Sequence, residues 1–241
     1  MILPLPDRRR ARRDLLVATL VVNALVFALS RPWMMAHNLH DAIGLVFLAG
    51  AILGMRADDD DTARYGVRLE GIFPGAAGDP RSLVRTLWEA IPSALRELGV
   101  AALAAAAVLP VYTLAWPRFN HPVGPRRFAL DAAGWREVAT ELFAVAFTEE
   151  MFFRGYVHTR VSDVFGVPAQ RPSTRDALPV VLLTSALFAL THVVVAPTVA
   201  RAVVFFPALL FGALRVWRGG VGAAIALHVA CNLWERYLEG R

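Results

Sequence analysis

Four stretches of this chain run for sixteen residues or more without a charged side chain: 15–30, 98–117, 177–200 and 219–234. Shorter clean runs lie at 42–55 and 202–214. A helix needs about 20 mostly apolar residues to cross the hydrocarbon layer of a bilayer, and charged end residues can lengthen a short run by snorkelling. Composition excludes the soluble alternatives. Of the 241 residues 56% are hydrophobic and only 19% charged, against about 25% charged in ordinary soluble chains. That leaves too little polar surface to cover a globule, and too much apolar content for disorder. The lone cysteine, Cys231, excludes an internal disulfide framework and any Cys-based zinc cluster. The expected fold is all-α: a polytopic transmembrane helical bundle of about seven spans (six to eight), at 14–34, 38–55, 93–116, 134–160, 178–197, 199–217 and 220–238.

All 25 basic residues are arginine, a bias expected of a GC-rich bacterial source. The formal charge of +5 and isoelectric point near 10.3 could suit a nucleic-acid binder. The arginines flank apolar runs, however, so no nucleic acid is expected. Arg8-Arg9-Arg10-Ala11-Arg12-Arg13 before the first run reads as the cytoplasmic end of an uncleaved first helix, because a small-residue cleavage site is poor and more spans follow. Seven spans then place loops 56–92, 161–177 and 215–219 inside, with fifteen arginines including Arg160 and the tail. Seven fall outside, among them Arg126-Arg127. Asp58-Asp59-Asp60-Asp61 lacks ligand spacing and reads as solvated loop. Trp88, Ile91 and Leu95 suggest a surface-lying helix before the third span. Pro110 and Pro207 are expected to kink their helices. The expected division is 1–133, N-terminal spans and a cytoplasmic loop, and 134–241, a helical core.

Ionisable groups inside a span cost roughly 2.5–3.5 kcal/mol each and by default mark function. Three clusters have helical spacing. In Glu149-Glu150-Met151-Phe152-Phe153-Arg154, Glu150 and Arg154 are four apart and can pair on one face. Glu149 points about 100° away; a carboxylate left uncompensated in an apolar cavity is a candidate general base or acid. Phe188…His192 lies inside the clean run 177–200, and a single histidine there can equally be a helix-packing hydrogen bonder. His228…Asn232 in the last span also share a face. They suit an oxyanion hole or an interhelical hydrogen-bond pair. Carboxylate, histidines and amide together suit attack of water on a carbonyl. Ser185 and Cys231 are not placed to act as nucleophiles.

The order E-E-x-x-x-R, F-x-x-x-H, H-x-x-x-N resembles the CPBP family of intramembrane proteases (CAAX proteases and bacteriocin-processing enzymes, also called Abi). Here it is carried by Glu149-Glu150…Arg154, Phe188…His192 and His228…Asn232, over about residues 134–238. The resemblance implies a glutamic-type intramembrane endopeptidase that cuts a membrane-anchored or lipidated protein or peptide near its C-terminal tail. It implies Glu149 as the base that activates water and His192 as its helper. His228 and Asn232 would stabilise the oxyanion. Glu150 and Arg154 would be supporting residues and Phe188 packing. No cofactor and no metal are expected. The alternative is zinc on Glu149, His192 and His228, against which Asn232 is a poor ligand and H-E-x-x-H is missing. The rival functions are a non-catalytic membrane scaffold or bacteriocin-immunity-type protein of the same fold, and a proton-relaying transporter, for which no two-half symmetry is found. The expected location is the bacterial cytoplasmic membrane, with the N-terminus inside.

One geometric requirement follows. Glu149 reaches the depth of His192 only if the fourth helix runs past Arg160, to about Phe165.

Overall fold

A computed structural model describes residues 7–38, 42–56, 62–67, 80–118 and 131–239, which are helical with no strand among them. The Asp58–Asp61 run and the Arg126–Arg127 pair lie outside the described residues. The chain forms α1 (Arg8–Leu29), α2 (Pro32–Ala36), α3 (Ile43–Arg56), a 3-10 turn (Thr62–Tyr65) and α4 (Pro80–Ala115). A long composite helix follows: α5 (Ala132–Thr140), a π-helical stretch (Glu141–Ala146), α6 (Phe147–Glu150), a second π-helical stretch (Met151–Val157) and α7 (His158–Phe165). The chain ends with α8 (Thr174–Val195), α9 (Val199–Val203), α10 (Phe205–Arg218) and α11 (Gly222–Glu239). Three of the described helical segments are long and apolar enough to cross a membrane: Trp88–Arg118, Thr174–Val195 and Val199–Arg218. The protein is a helical membrane protein.

The composite helix is the centre of the bundle. Asp131 caps its start by accepting from the Ala133 and Gly134 amides. Gly166, at φ 73°, ends it in the left-handed conformation. It runs to Phe165, the length that the sites demand. Glu149 then lies 16 residues from its end, about 24 Å, and His192 lies 18 residues from the start of the antiparallel α8, about 27 Å. Met151 to Val161 is buried on nearly every side.

α3 runs parallel to the composite helix through a glycine row. A Cβ at Gly44 would overlap the Ala144 carbonyl, one at Gly50 would meet Phe152, and one at Gly54 would overlap the Tyr156 ring. With Thr148 Oγ1, 3.3 Å from the same position at Gly44, the partners 144, 148, 152 and 156 repeat every four residues, so one helical ridge fits a groove cleared of side chains.

Two expectations change. The separate surface helix before the third span is absent: α4 is continuous from Pro80, helped by the Arg85–Glu89 pair at 2.7 Å, and absorbs Pro92 and Pro110. The span expected at 199–217 is present as Val199–Arg218, with the expected interruption: Pro207 lacks the N–H that would bond back to Val203, and the helix is broken at Val204 between α9 and α10. At 14 residues, α3 extends only about 21 Å, short of the hydrocarbon thickness.

Candidate active site

The three motifs converge. Glu149 Oε2 lies 4.0 Å from His192 Nε2 and 3.9 Å from His228 Nε2. It is buried, and no hydrogen-bond donor among the described residues reaches it. The separations are too long for direct hydrogen bonds and of the size that one water bridges.

Both imidazoles are oriented from behind. His192 Nδ1 lies 3.0 Å from the Phe188 carbonyl oxygen. A carbonyl can only accept, so Nδ1 carries the proton and Nε2 faces Glu149. His228 Nδ1 lies 2.9 Å from Glu150 Oε1, so it too donates from Nδ1 and turns Nε2 to the site. Phe211 stacks on His228 at 4.9 Å, and Phe188 packs on His192 at 4.4 Å.

Glu150 is fully buried and its Oε1 is shared: Arg154 Nη1 donates to it at 2.9 Å alongside His228. Arg154, also fully buried, donates through Nη2 to the Ala208 carbonyl at 3.0 Å. Its guanidinium lies 4.4 Å from the centre of the Phe188 ring, a cation–π contact. Phe188 therefore does more than fill space, since it touches Arg154 and fixes His192 through its own carbonyl.

Asn232 takes part through a residue that the motif spacing did not single out. Its Nδ2 donates at 2.9 Å to Glu141 Oε2. Arg236 pairs with Glu141 at 2.7 Å and with Glu137 at 3.3 Å. The signal available in the sequence was the row His228, Asn232, Arg236 at four-residue intervals, one face of α11. What hid its partner is the first π-helical stretch. On an uninterrupted helix Glu141 and Glu149 are eight residues apart and about 80° out of line. One extra residue in the turn cuts that to about 20°.

The second π-helical stretch has its own support. Its last bond runs from the His158 N–H to the Phe153 carbonyl, so the return to α-helix passes over the carbonyl of Arg154. Arg215 Nε donates to that oxygen at 3.0 Å and Arg215 Nη2 to the Arg64 carbonyl at 3.1 Å. Thr148 Oγ1 similarly donates to the Ala144 and Val145 carbonyls in the first stretch, both at 2.9 Å.

The zinc alternative fits in ligand type and tautomer but not in spacing. Bonds of 2.0–2.2 Å in a tetrahedron put neighbouring donors about 3.4 Å apart, and both oxygen–nitrogen distances are longer. Among the described residues no group of three His, Cys, Asp or Glu is placed to hold a metal ion.

Residues 133–234 match the family model described as type II CAAX prenyl endopeptidase Rce1-like. No curated protein and no solved structure matches the chain. The matched segment contains all three motifs and every residue that converges on Glu149. Over residues 133–234 the chain is thus similar to the Rce1-like type II CAAX prenyl endopeptidases.

Proposed function

We propose that this protein is a glutamic-type intramembrane endopeptidase that cuts a membrane-anchored or lipidated protein or peptide near its C-terminal tail. The observation that carries the reading is the convergence of Glu149 Oε2 with two imidazole Nε2 atoms whose other nitrogens are already committed. The prenyl endopeptidase family of residues 133–234 supports the substrate class.

In this mechanism a water sits between Glu149 and His192. Glu149 takes one proton from it, and the bare Nε2 of His192 accepts the other O–H and holds the oxygen in line. The hydroxide adds to the scissile carbonyl carbon. The resulting oxyanion accepts hydrogen bonds from His228 and Asn232. His228 can donate from Nε2 only as an imidazolium, because Nδ1 already donates to Glu150, and the Glu150 carboxylate is its counter-charge. When the C–N bond breaks, the proton on Glu149 passes to the leaving amine. The cycle releases a carboxylic acid and an amine, with no metal and no other cofactor.

The proposed location is a bacterial cytoplasmic membrane with the N-terminus on the cytoplasmic face. The gathering of arginines at one end of the bundle supports that orientation.

The test compares wild type with Glu149→Gln in a null background, reading membrane-protein C-termini by mass spectrometry, with and without a chelator. Gln keeps the size and hydrogen bonding of Glu but cannot take the proton. A set of proteins should keep their C-terminal segments only in the variant, and the chelator should not alter the wild-type pattern. Identical C-termini from two well-expressed proteins would overturn the peptidase reading in favour of the scaffold or immunity role. Loss of cutting that zinc restores would overturn the metal-free mechanism.

A further inference from the structure

Glu141 is buried, with 3% exposure, and it lies outside the three motifs. Its two oxygens are divided. Oε1 takes Arg236 at 2.7 Å, and Oε2 takes the Asn232 amide at 2.9 Å. Ion pairing to Arg236 alone would need no contact with Asn232, and Glu137 already supplies that arginine with a second carboxylate.

We infer that Glu141 is a positioning residue that sets which end of the Asn232 amide faces the scissile carbonyl. The argument is one of donors and acceptors. An asparagine side chain has an accepting and a donating end of nearly the same shape. Within a site it can turn over at little steric cost. An oxyanion is stabilised only by the donating end. A carboxylate can only accept, so beside Glu141 the Asn232 amide is held with its NH2 toward the composite helix, the helix that also carries Glu149. One N–H is spent on Glu141 and the other is left for the oxyanion. Arg236 holds the Glu141 carboxylate still. The first π-helical stretch begins at Glu141 itself, and it is what brings this residue round to the Glu149 side.

The inference rests on the peptidase reading and adds to it a residue outside the three motifs. Its test is a double-mutant cycle on the purified full-length protein in proteoliposomes. The probe is a farnesylated, internally quenched peptide ending in a CAAX sequence. In Glu141→Gln the new side chain satisfies Arg236 with its carbonyl and turns its NH2 to Asn232, which must then present its own carbonyl to it. The amide inverts. We expect kcat to fall about tenfold to hundredfold with KM within twofold of wild type, part of the loss known for removing one oxyanion donor. Asn232→Ala should lose about a hundredfold or more. Glu141→Gln in the Asn232→Ala background should cost nothing further, because there is no amide left to invert. Glu137→Gln, which touches Arg236 but not Asn232, should stay within twofold of wild type.

A Glu141→Gln enzyme that cuts as fast as wild type overturns the inference. So does a fall of the same size in the presence and absence of Asn232, which would assign Glu141 to helix packing. A wild-type protein that leaves both the peptide and the membrane proteins' C-termini uncut overturns the peptidase reading itself, and this inference with it.

Discussion

Glu149 and Glu150 are neighbours in sequence and opposites in circumstance. Glu150 has no exposure and shares one oxygen between a guanidinium and an imidazole. Glu149 keeps 13% of its side chain accessible and an oxygen with no donor. The first is the counter-charge that makes Arg154 tolerable in an apolar interior. The second is the base of the proposed mechanism. Glu150→Ala should therefore act on stability before mechanism. It strands a buried guanidinium, which in other proteins costs about 3–5 kcal/mol, and it releases His228 from its fixed tautomer. The purified variant should melt well below wild type in detergent; an unchanged melting temperature would show that the buried pair contributes little. The two roles were legible from spacing, since Glu150 and Arg154 are four apart and Glu149 is not in line with either. The shared oxygen was not legible, because it needs the depth of α11 relative to the composite helix, which no local pattern encodes.

The composite helix shows where reading by period succeeds and where it fails. Its continuation to Phe165 follows from the requirement that Glu149 and His192 share a depth. The pairs at 188–192 and 228–232 each stay within one regular helix, so four-residue spacing identified their shared faces, and Arg154 reaches Glu150 although it lies within the second π-helical stretch. Glu141 stands on the far side of a π-helical stretch from Glu149. A 3.6-residue rule assigns it to the wrong face. Arg215 was missed for a related reason: it was counted as a loop arginine, whereas it is buried and donates to the Arg154 carbonyl. The α3 contact offers a test at this scale. Alanine is a better helix former than glycine by about 1 kcal/mol, so propensity alone says Gly44→Ala should stabilise α3. Packing says the reverse, because the added methyl would meet the Ala144 carbonyl, a backbone atom held in the first π-helical stretch. Overpacking of this kind costs about 1–3 kcal/mol, and packing should win. A lowered melting temperature for Gly44→Ala is expected; a raised one would mean that α3 slides freely on the composite helix.

At the scale of the molecule, one end of the bundle collects the start of α1, the end of the composite helix, the segment 62–67 and the turn between α10 and α11. Arg64 pairs with Asp163 there, Arg160 lies 3.5 Å from the same carboxylate, and the Val221 amide donates to the Gly66 carbonyl at 3.2 Å. Gly66 has φ 73° and lies so close to Arg215 that a Cβ would fall 2.7 Å from the guanidinium carbon. Segment 62–67 thus covers this end of the bundle. The proposed orientation puts it in the cytoplasm. In a Cys231→Ala background, Arg171→Cys should react with a membrane-impermeant thiol reagent only after the cells are opened. Val199→Cys, on an exposed residue near the other end of α8, should react in intact cells. The opposite pattern would invert the proposed topology.

The two π-helical stretches have a consequence for how chains of this kind can change. Each holds one residue more than an α-helix of the same rotation would. Deleting one residue between Glu141 and Ala146 would turn the first stretch into plain α-helix, shorten it slightly and leave Glu141 at about the same angle to Glu149. A relative one residue shorter there would keep the Asn232 contact with its glutamate seven rather than eight residues before Glu149. An alignment that permits no gap inside a helix would set the two glutamates out of register and miss that they do the same work.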